Sequence, residues 1–291
     1  DIFLIVSALS LLIINTSRVQ GGLIQLTLAL LCASFLSGYA LLNILGMSEL
    51  FSRLESLVIS YFVSFVFSGV LFLFLLPFNQ PIRPVMVCTV FVLLGIFSMV
   101  KHLKPSRATL RMSLSKPIDV LPLAMTLIFY MIAFFLMYPG FALQPGMDIS
   151  RLYASSILLV RNPNLYHSFV YFLFNLFEAC LHSMSTPSLT AFQSSLQLLN
   201  WISPLVFYVM AKEHLESIDK RLPSMATVFW VLFSNLGWLY FVKLKLASDM
   251  QSQLQLLSMT ADKTYNGTIY ASFGHWYTPL HVSFLMLLTL I

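Results

Sequence analysis

The sequence predicts an all-α fold, a polytopic transmembrane helix bundle, and three observations support this prediction. The chain is 58% hydrophobic and only 9% charged, whereas soluble domains have about 25% charged residues. Its apolar residues form long runs, and a membrane-spanning helix needs about 20 of them. Basic residues cluster between those runs, which is the pattern that orients helices in a membrane. The net charge of +5 is explained in this way, so no nucleic-acid partner is predicted.

About eight apolar segments have the length expected of membrane spans. They lie at residues 2–15, 22–46, 55–77, 84–101, 119–138, 188–211, 223–243 and 278–291. Asp1 is not a start methionine and Ile291 lies inside an apolar run, so we expect the sequence to be a fragment of a longer chain.

Three cysteines, at positions 32, 88 and 180, lie inside apolar runs without metal-ligand spacing. We expect them to be small buried side chains.

A basic loop divides the chain into two groups of helices. Between residues 101 and 118 every charged residue is basic, and the first acidic one is Asp119. This is the strongest cytoplasmic signal in the chain. We therefore predict an N-terminal transmembrane helix group at 1–101, a cytoplasmic linker at 102–118 and a second transmembrane module at 119–291. In the first group, Gly38 and Gly46 are expected to pack or end helices.

The outer side of the second module contains a segment that either spans the membrane or lies within it. With the linker in the cytoplasm, segment 119–138 leads outward to Asp148. Segment 165–183 follows, and its polar residues are three or four apart, which places them on one helix face. They are Ser168, Tyr171, Asn175, Glu178 and His182. If this segment does not span, the basic loop 212–222 returns to the cytoplasm, as basic loops prefer. We expect such a non-spanning, membrane-embedded helix; a spanning helix whose polar face lines the bundle is the alternative.

The beginning of this outer stretch has two candidate residues. Asp148 precedes Ile149, where a carboxylate either caps a helix or acts as a catalytic or metal-binding group at the membrane surface. Arg151 either anchors a lipid headgroup or binds a phosphate through paired hydrogen bonds.

Two further pairs of residues are candidate binding groups. Glu178 and His182 are four residues apart on one helix face, so their side chains can pair with each other. Ionisable residues at membrane depth nevertheless often have a function. His275 and Trp276 either contact a sugar or other ligand, or anchor the chain at the membrane interface. None of these residues has the spacing of a metal site.

Three stretches follow one another in the order of features of a known enzyme family. Met147-Asp148-Ile149 stands as an acidic motif, Tyr166 to Leu181 as a second helix of the outer loop, and Val209 to Leu215 as the end of the returning helix. Over residues 119–291 the chain resembles the GT-C glycosyltransferases, which include protein mannosyltransferases, aminoarabinose transferases and oligosaccharyltransferases. Upstream, two stretches resemble a preface found in uncharacterised, mostly archaeal, membrane proteins: Gly38 to Leu42 and Leu54 to Ser60.

The resemblance implies membrane-parallel helices in an outer loop and a specific reaction. A sugar would move from a polyprenyl-phosphate-linked donor, held in the membrane lipid, to an acceptor at the outer face of the plasma membrane. Asp148 would be the catalytic base, and the substrate-binding candidates are Arg151, Glu178, His182, His275 and Trp276. Many members have two adjacent acidic residues where Asp148 stands alone, so a divalent cation as cofactor is left open. A non-catalytic scaffold of the same fold and a transporter remain the alternatives.

Overall fold

The computed structural model describes residues 1–17, 21–48, 50–79, 82–102, 124, 128, 147–163, 172–185 and 188–233. These residues form helices joined by turns, and no strand occurs among them. The helices are α1 (Ile2–Ser17), α2 (Gly22–Leu45), α3 (Arg53–Leu75), α4 (Arg83–His102), α5 (Met147–Arg161), α6 (Phe172–Met184), α7 (Leu189–Leu215) and α8 (Leu222–Phe233). The predicted all-α class is confirmed for this part of the chain.

Three helices among the described residues are long and apolar enough to cross a membrane. They are α2, α3 and the stretch of α4 that ends at Lys101, and they indicate a membrane protein. Helix α1 is apolar but has only 16 residues. Helix α7 has 27 residues, but serines, glutamines and an asparagine make its sequence more polar. The predicted spans at 119–138, 223–243 and 278–291 lie wholly or partly outside the described residues, so the total of about eight stays a prediction.

The chain divides into two compact units, and each unit is discontinuous in sequence. The first consists of Asp1–Arg111 with Met147–Ser195, and the second of Met112–Gly146 with Leu196–Ile291. Within the first unit, α6 packs against α3 and α5, and α1 packs against α4. Within the second, Phe207 of α7 stacks on Trp230 of α8 with ring centroids 4.8 Å apart. Helices α5 and α6 thus share a unit with the N-terminal helices, although the linker at 102–118 separates them in sequence.

Helices α2 and α3 approach closely because small residues face each other. The backbone nitrogen of Gly38 donates a hydrogen bond of 2.6 Å to Oγ of Ser64. A Cβ atom added at Gly38 would lie 2.6 Å from the backbone nitrogen of Ser64. The hydroxyl of Ser68 donates a hydrogen bond of 3.0 Å to the carbonyl of Ala33. Ala33 lies in a π-helical turn of α2, a local departure from α-helical hydrogen bonding. The predicted packing role of Gly38 is therefore confirmed.

Two helix ends follow directly from local sequence. Gly46 ends α2 with φ +75, a left-handed conformation that glycine adopts without steric cost. Ser52 and Glu55 begin α3 with a capping box, in which each side chain accepts a hydrogen bond from the other residue's backbone nitrogen. This arrangement satisfies two backbone donors that a helix start leaves without partners.

Candidate functional site

Helix α6 places the described part of the polar stripe inside the first unit. All its residues from Phe174 to Met184 are buried. Phe177 stacks on Phe65 of α3 with ring centroids 4.6 Å apart. Glu178 and His182 are 0% and 1% exposed, so this part of the stripe faces protein rather than lipid. Its first two residues, at positions 168 and 171, lie outside the described residues.

Glu178 forms the centre of a small polar cluster. Ser195 of α7 donates a hydrogen bond to Oε1 of Glu178. The other carboxyl oxygen, Oε2, lies 3.9 Å from Nε2 of His182, which is longer than a hydrogen bond. Within the described part of the chain, neither Oε2 nor either ring nitrogen of His182 has a hydrogen-bond partner. The two side chains are therefore neighbours, as their spacing predicts, without satisfying each other.

Aromatic rings enclose the cluster and connect it to α5. The ring of His182 meets the ring of Tyr153 edge-on, with centroids 6.0 Å apart. Tyr153 in turn contacts Phe192 of α7 at 5.4 Å. Phe192 also lies 6.2 Å from Phe174. Through these contacts α5, α6 and the first turns of α7 share one interior surface, and that surface contains the polar cluster.

Burial shifts both titratable groups of the cluster toward their neutral forms. Helix α6 is not one of the three candidate spans. Burial raises the pKa of the Glu178 carboxyl well above its usual range, and the hydrogen bond from Ser195 lowers it in part. Burial also lowers the pKa of His182 to about 4. Both shifts arise because the charged form loses its hydration when it is buried. Burial therefore favours the neutral form of both side chains.

Arg83 fixes the position of α5, although the sequence pattern did not single it out. The guanidinium of this 5% exposed residue donates to Phe78 and Leu76 over 2.6 and 3.0 Å. It also donates to Val160 and Leu159 of α5 over 3.0 and 3.3 Å. All four acceptors are carbonyl groups at helix ends, which the helices themselves leave unsatisfied. The available signal was the one basic residue between the predicted spans 55–77 and 84–101, on the predicted outer side, where basic residues are less frequent.

The end of α6 is held by two side chains from the N-terminal helices. Asn15 of α1 donates to the carbonyl of Met184 over 3.1 Å, and Gln25 of α2 donates to the same carbonyl over 2.8 Å. The two amides also bond to each other over 3.3 Å. Helix α6 is thus bound at its C-terminal end and packed against α3 along its length.

The three cysteines are buried and free, as the sequence predicts. They lie in the interior of the first unit, one each on α2, α4 and α6, and none has exposed surface. The described ranges contain no group of three His, Cys, Asp or Glu residues able to hold a metal ion. The cysteines therefore fill the core as small apolar side chains.

The predicted catalytic residue lies in the first turn of α5. Helix α5 begins at Met147, so Asp148 is its second residue rather than the residue before the helix. Arg151 follows three residues later, and the backbone of both is helical. The side chains of these two residues lie outside what the structure describes. His275 and Trp276 lie entirely outside the described residues.

No family model, curated protein or solved structure matches the chain. What the site can do is therefore inferred from the chemistry and placement of its own residues. The structure brings Glu178, His182 and Ser195 together, and Ser195 has no signal in the local sequence that would have paired it with Glu178.

Proposed function

We propose that this chain is a membrane glycosyltransferase that moves a sugar from a polyprenyl-phosphate-linked donor to an acceptor at the outer face of the membrane. One observation supports the proposal above the others. Asp148 lies in the first turn of a 15-residue helix, which a 13-residue helix follows. The second helix packs on both the first and the apolar helix α3. A pair of short helices opened by an acidic residue is what the GT-C resemblance implies for the first outer loop.

Asp148 would act as the general base in this reaction. The positive end of the α5 dipole favours its ionised form, and a carboxylate base must be ionised to accept a proton. The acceptor hydroxyl gives its proton to Asp148 while its oxygen forms the bond to the sugar. The bond between the sugar and the donor phosphate breaks, and the phosphate retains the electron pair. Arg151 lies on the same face of α5 three residues later and would stabilise the negative charge of the departing phosphate.

Helix α5 alone does not provide enough oxygen ligands to bind a divalent cation. Asp148 is the only acidic residue of this helix, and one carboxylate is a small part of the oxygen ligand set that a divalent cation needs. The mechanism therefore assigns the proton to Asp148 and the phosphate charge to Arg151. His275 and Trp276 remain candidates for sugar contact, since tryptophan offers an apolar face beside a polar histidine.

Glu178 and His182 would contribute to this reaction by holding α5 in position, without touching the donor. Both are enclosed by protein, so a donor arriving from the membrane surface would not reach them in this conformation. His182 contacts Tyr153, which lies five residues after Asp148 on α5, about 7 to 8 Å along the helix axis. The buried cluster therefore helps to hold the helix that contains the proposed base.

The proposal includes a multi-pass chain of about eight spans in the plasma membrane. Two features support the assigned orientation. The basic residues of 101–118 follow the C-terminal end of α4, where cytoplasmic loops are expected. Arg83, at the opposite end of the same helix, binds the carbonyls of Leu159 and Val160 in α5, which belongs to the predicted outer loop.

Replacing Asp148 with asparagine tests the proposed base. Asn keeps the size of the side chain, and the lost interaction of the carboxylate with the helix dipole is worth only about 0.3–1 kcal/mol, so stability should change little. Transfer from a polyprenyl-phosphate-linked sugar should fall about 10²–10⁴-fold, the usual contribution of general acid–base catalysis. The measurement is sugar transfer by the full-length protein in membranes, with thermal unfolding followed separately.

Asp219→Asn is the matched control, since Asp219 is exposed in the turn between α7 and α8 and should leave transfer unchanged. Near-normal transfer by the Asp148→Asn variant would exclude Asp148 as the base. Absence of transfer by the unmodified protein with every donor tested would favour the non-catalytic scaffold instead.

A further inference from the structure

We propose that Glu178 and His182 form an interior proton-binding pair that holds one proton, which Glu178 carries as a neutral carboxylic acid. The ligand of this site is the proton itself. The proposal goes beyond the glycosyltransferase function and does not depend on it. It starts from three atoms in the protein interior, Oε2 of Glu178 and both ring nitrogens of His182, which find no partner among the described residues.

The shortage of hydrogen-bond donors around Glu178 disfavours an ionised carboxylate. An ionised carboxylate has about four acceptor positions, and its charge is costly to bury unless it is paired and hydrogen-bonded. The described residues supply one donor, the hydroxyl of Ser195. The neutral acid needs fewer hydrogen-bond donors from its surroundings, because its own O–H becomes a donor. A proton on Glu178 therefore removes the main cost of burying this side chain.

The same reasoning disfavours a charged His182. An imidazolium ring has two N–H donors, and neither ring nitrogen of His182 has an acceptor within the described ranges. A neutral ring has one nitrogen that accepts. That acceptor and the proton on Glu178 are complementary, and Oε2 and Nε2 are already 3.9 Å apart. A rotation of the carboxyl group, whose terminal torsion is soft, would bring the O–H of Glu178 within bonding distance of the ring.

The groups that face the pair provide no charge to balance it. Tyr61 approaches Glu178 from α3, Tyr153 approaches His182 from α5, and Ser195 approaches from α7. Cys180 lies on the same helix, near the thiols of α2 and α4. No lysine, arginine or aspartate in the part of the chain that the structure describes forms an ion pair or hydrogen bond with Glu178 or His182. A second proton, or none, would therefore leave a net charge beside Tyr153 and α5.

Infrared spectroscopy of the full-length protein in detergent tests the state of Glu178 directly. A protonated carboxylic acid has a carbonyl stretching band that a carboxylate lacks. At neutral pH this band should be present in the unmodified protein and absent in Glu178→Gln, in which the amide replaces the neutral acid. The exposed residue Glu213 of α7 provides the control, and Glu213→Gln should keep the band. Equal acid bands in the unmodified protein and Glu178→Gln would overturn the proposal.

The pH dependence of unfolding tests whether the folded Glu178–His182 pair binds one proton. In the unfolded chain Glu has a pKa of about 4.3 and His of about 6.5, so the unfolded pair also binds one proton between these values. The pair then adds no pH dependence in that range. Above about pH 6.5 the unfolded pair binds none, and the unfolding equilibrium constant should rise about tenfold per pH unit until the folded acid ionises.

Two variants change this profile in different ways. In Glu178→Gln the folded pair binds no proton, so the rise above about pH 6.5 should disappear. In His182→Gln the acid remains and the unfolded chain has no histidine to match it, so the rise should begin at about pH 4.3 instead. Denaturant unfolding of each purified protein across pH 4–9, compared with Glu213→Gln, measures these shifts. Identical profiles for the unmodified protein and Glu178→Gln above pH 7 would show that Glu178 is ionised in the folded state.

Discussion

The guanidinium of Arg83 donates hydrogen bonds to carbonyl groups at the ends of two helices. It donates to Leu76 and Phe78 beyond the end of α3 and to Leu159 and Val160 near the end of α5. The planar guanidinium has five donors in a fixed fork, whereas a lysine ammonium has three on one atom. The contacts therefore depend on the shape of arginine as well as on its charge.

Replacing Arg83 with lysine should lower the free energy of unfolding by about 2–4 kcal/mol, because buried carbonyls lose their partners. The positive charge is retained, so the loss reports the lost hydrogen bonds. Arg53→Lys is the control, since Arg53 is exposed at the first position of α3 and should change stability by less than about 0.5 kcal/mol. Denaturant unfolding in detergent provides the measurement. Similar stabilities of the two variants would show that Arg83 does not hold the helices together.

At the scale of elements, α2 and α3 pack through a row of small residues. Serines recur every four residues on α3, at positions 56, 60, 64 and 68, and all are buried. Ser64 accepts from the backbone of Gly38. Small residues let helix backbones approach closely where lipid offers no hydrophobic drive for association. The contact between these two candidate spans therefore depends on the absence of side-chain volume at Gly38.

The substitution Gly38→Ala should destabilise the protein by about 1–3 kcal/mol, the usual cost of overpacking. The added Cβ would meet the backbone of α3, at 2.6 Å from the nitrogen of Ser64, and backbone atoms cannot move aside cheaply. Gly69→Ala is the matched control, because its added Cβ would lie 2.7 Å from Cδ1 of Leu173, the flexible end of a side chain, and no closer than 3.2 Å to a backbone atom, the carbonyl oxygen of Leu173. A thermal unfolding temperature lowered more by Gly69→Ala than by Gly38→Ala would contradict this explanation.

At the scale of the whole molecule, charge determines which side of the membrane each loop occupies. The turn between α7 and α8 contains Lys220 and Arg221 and is exposed. Basic loops remain in the cytoplasm, so this turn should lie on the same side as residues 101–118. Residues 244–277, which lie outside the described part, should then be on the outer side together with Asp148.

Cysteine labelling in intact cells tests this topology. A membrane-impermeant thiol reagent should label Ser258→Cys, and it should label Ser217→Cys only after the cells are permeabilised. The unmodified protein is a suitable background, because its three cysteines are buried and should not react. Labelling of Ser217→Cys from outside would mean that segment 165–183 crosses the membrane, so that the non-spanning helix would be wrong.

The sequence by itself determined the features that depend on neighbouring residues. The predicted spans 22–46, 55–77 and 84–101 agree with α2, α3 and α4 to within two residues at each end. They could be predicted because a helix satisfies its own backbone groups, which a lipid environment requires. The end of α2 at Gly46 was likewise local, since it needs only a residue that accepts a left-handed conformation.

Only the tertiary structure decided which groups the polar residues meet. A spacing of three and four residues shows that Glu178 and His182 share a face, but it does not show whether that face meets lipid, water or protein. The partner of Glu178 is Ser195, 17 residues away on another helix, and Arg83 meets carbonyls 76 and 77 residues away. Such contacts depend on how helices pack, and side-chain periodicity contains no information about packing partners. The described part of the stripe, Asn175 to His182, lies on one helix as the spacing predicts, while its enclosure beside Tyr153 and Ser195 followed from the fold.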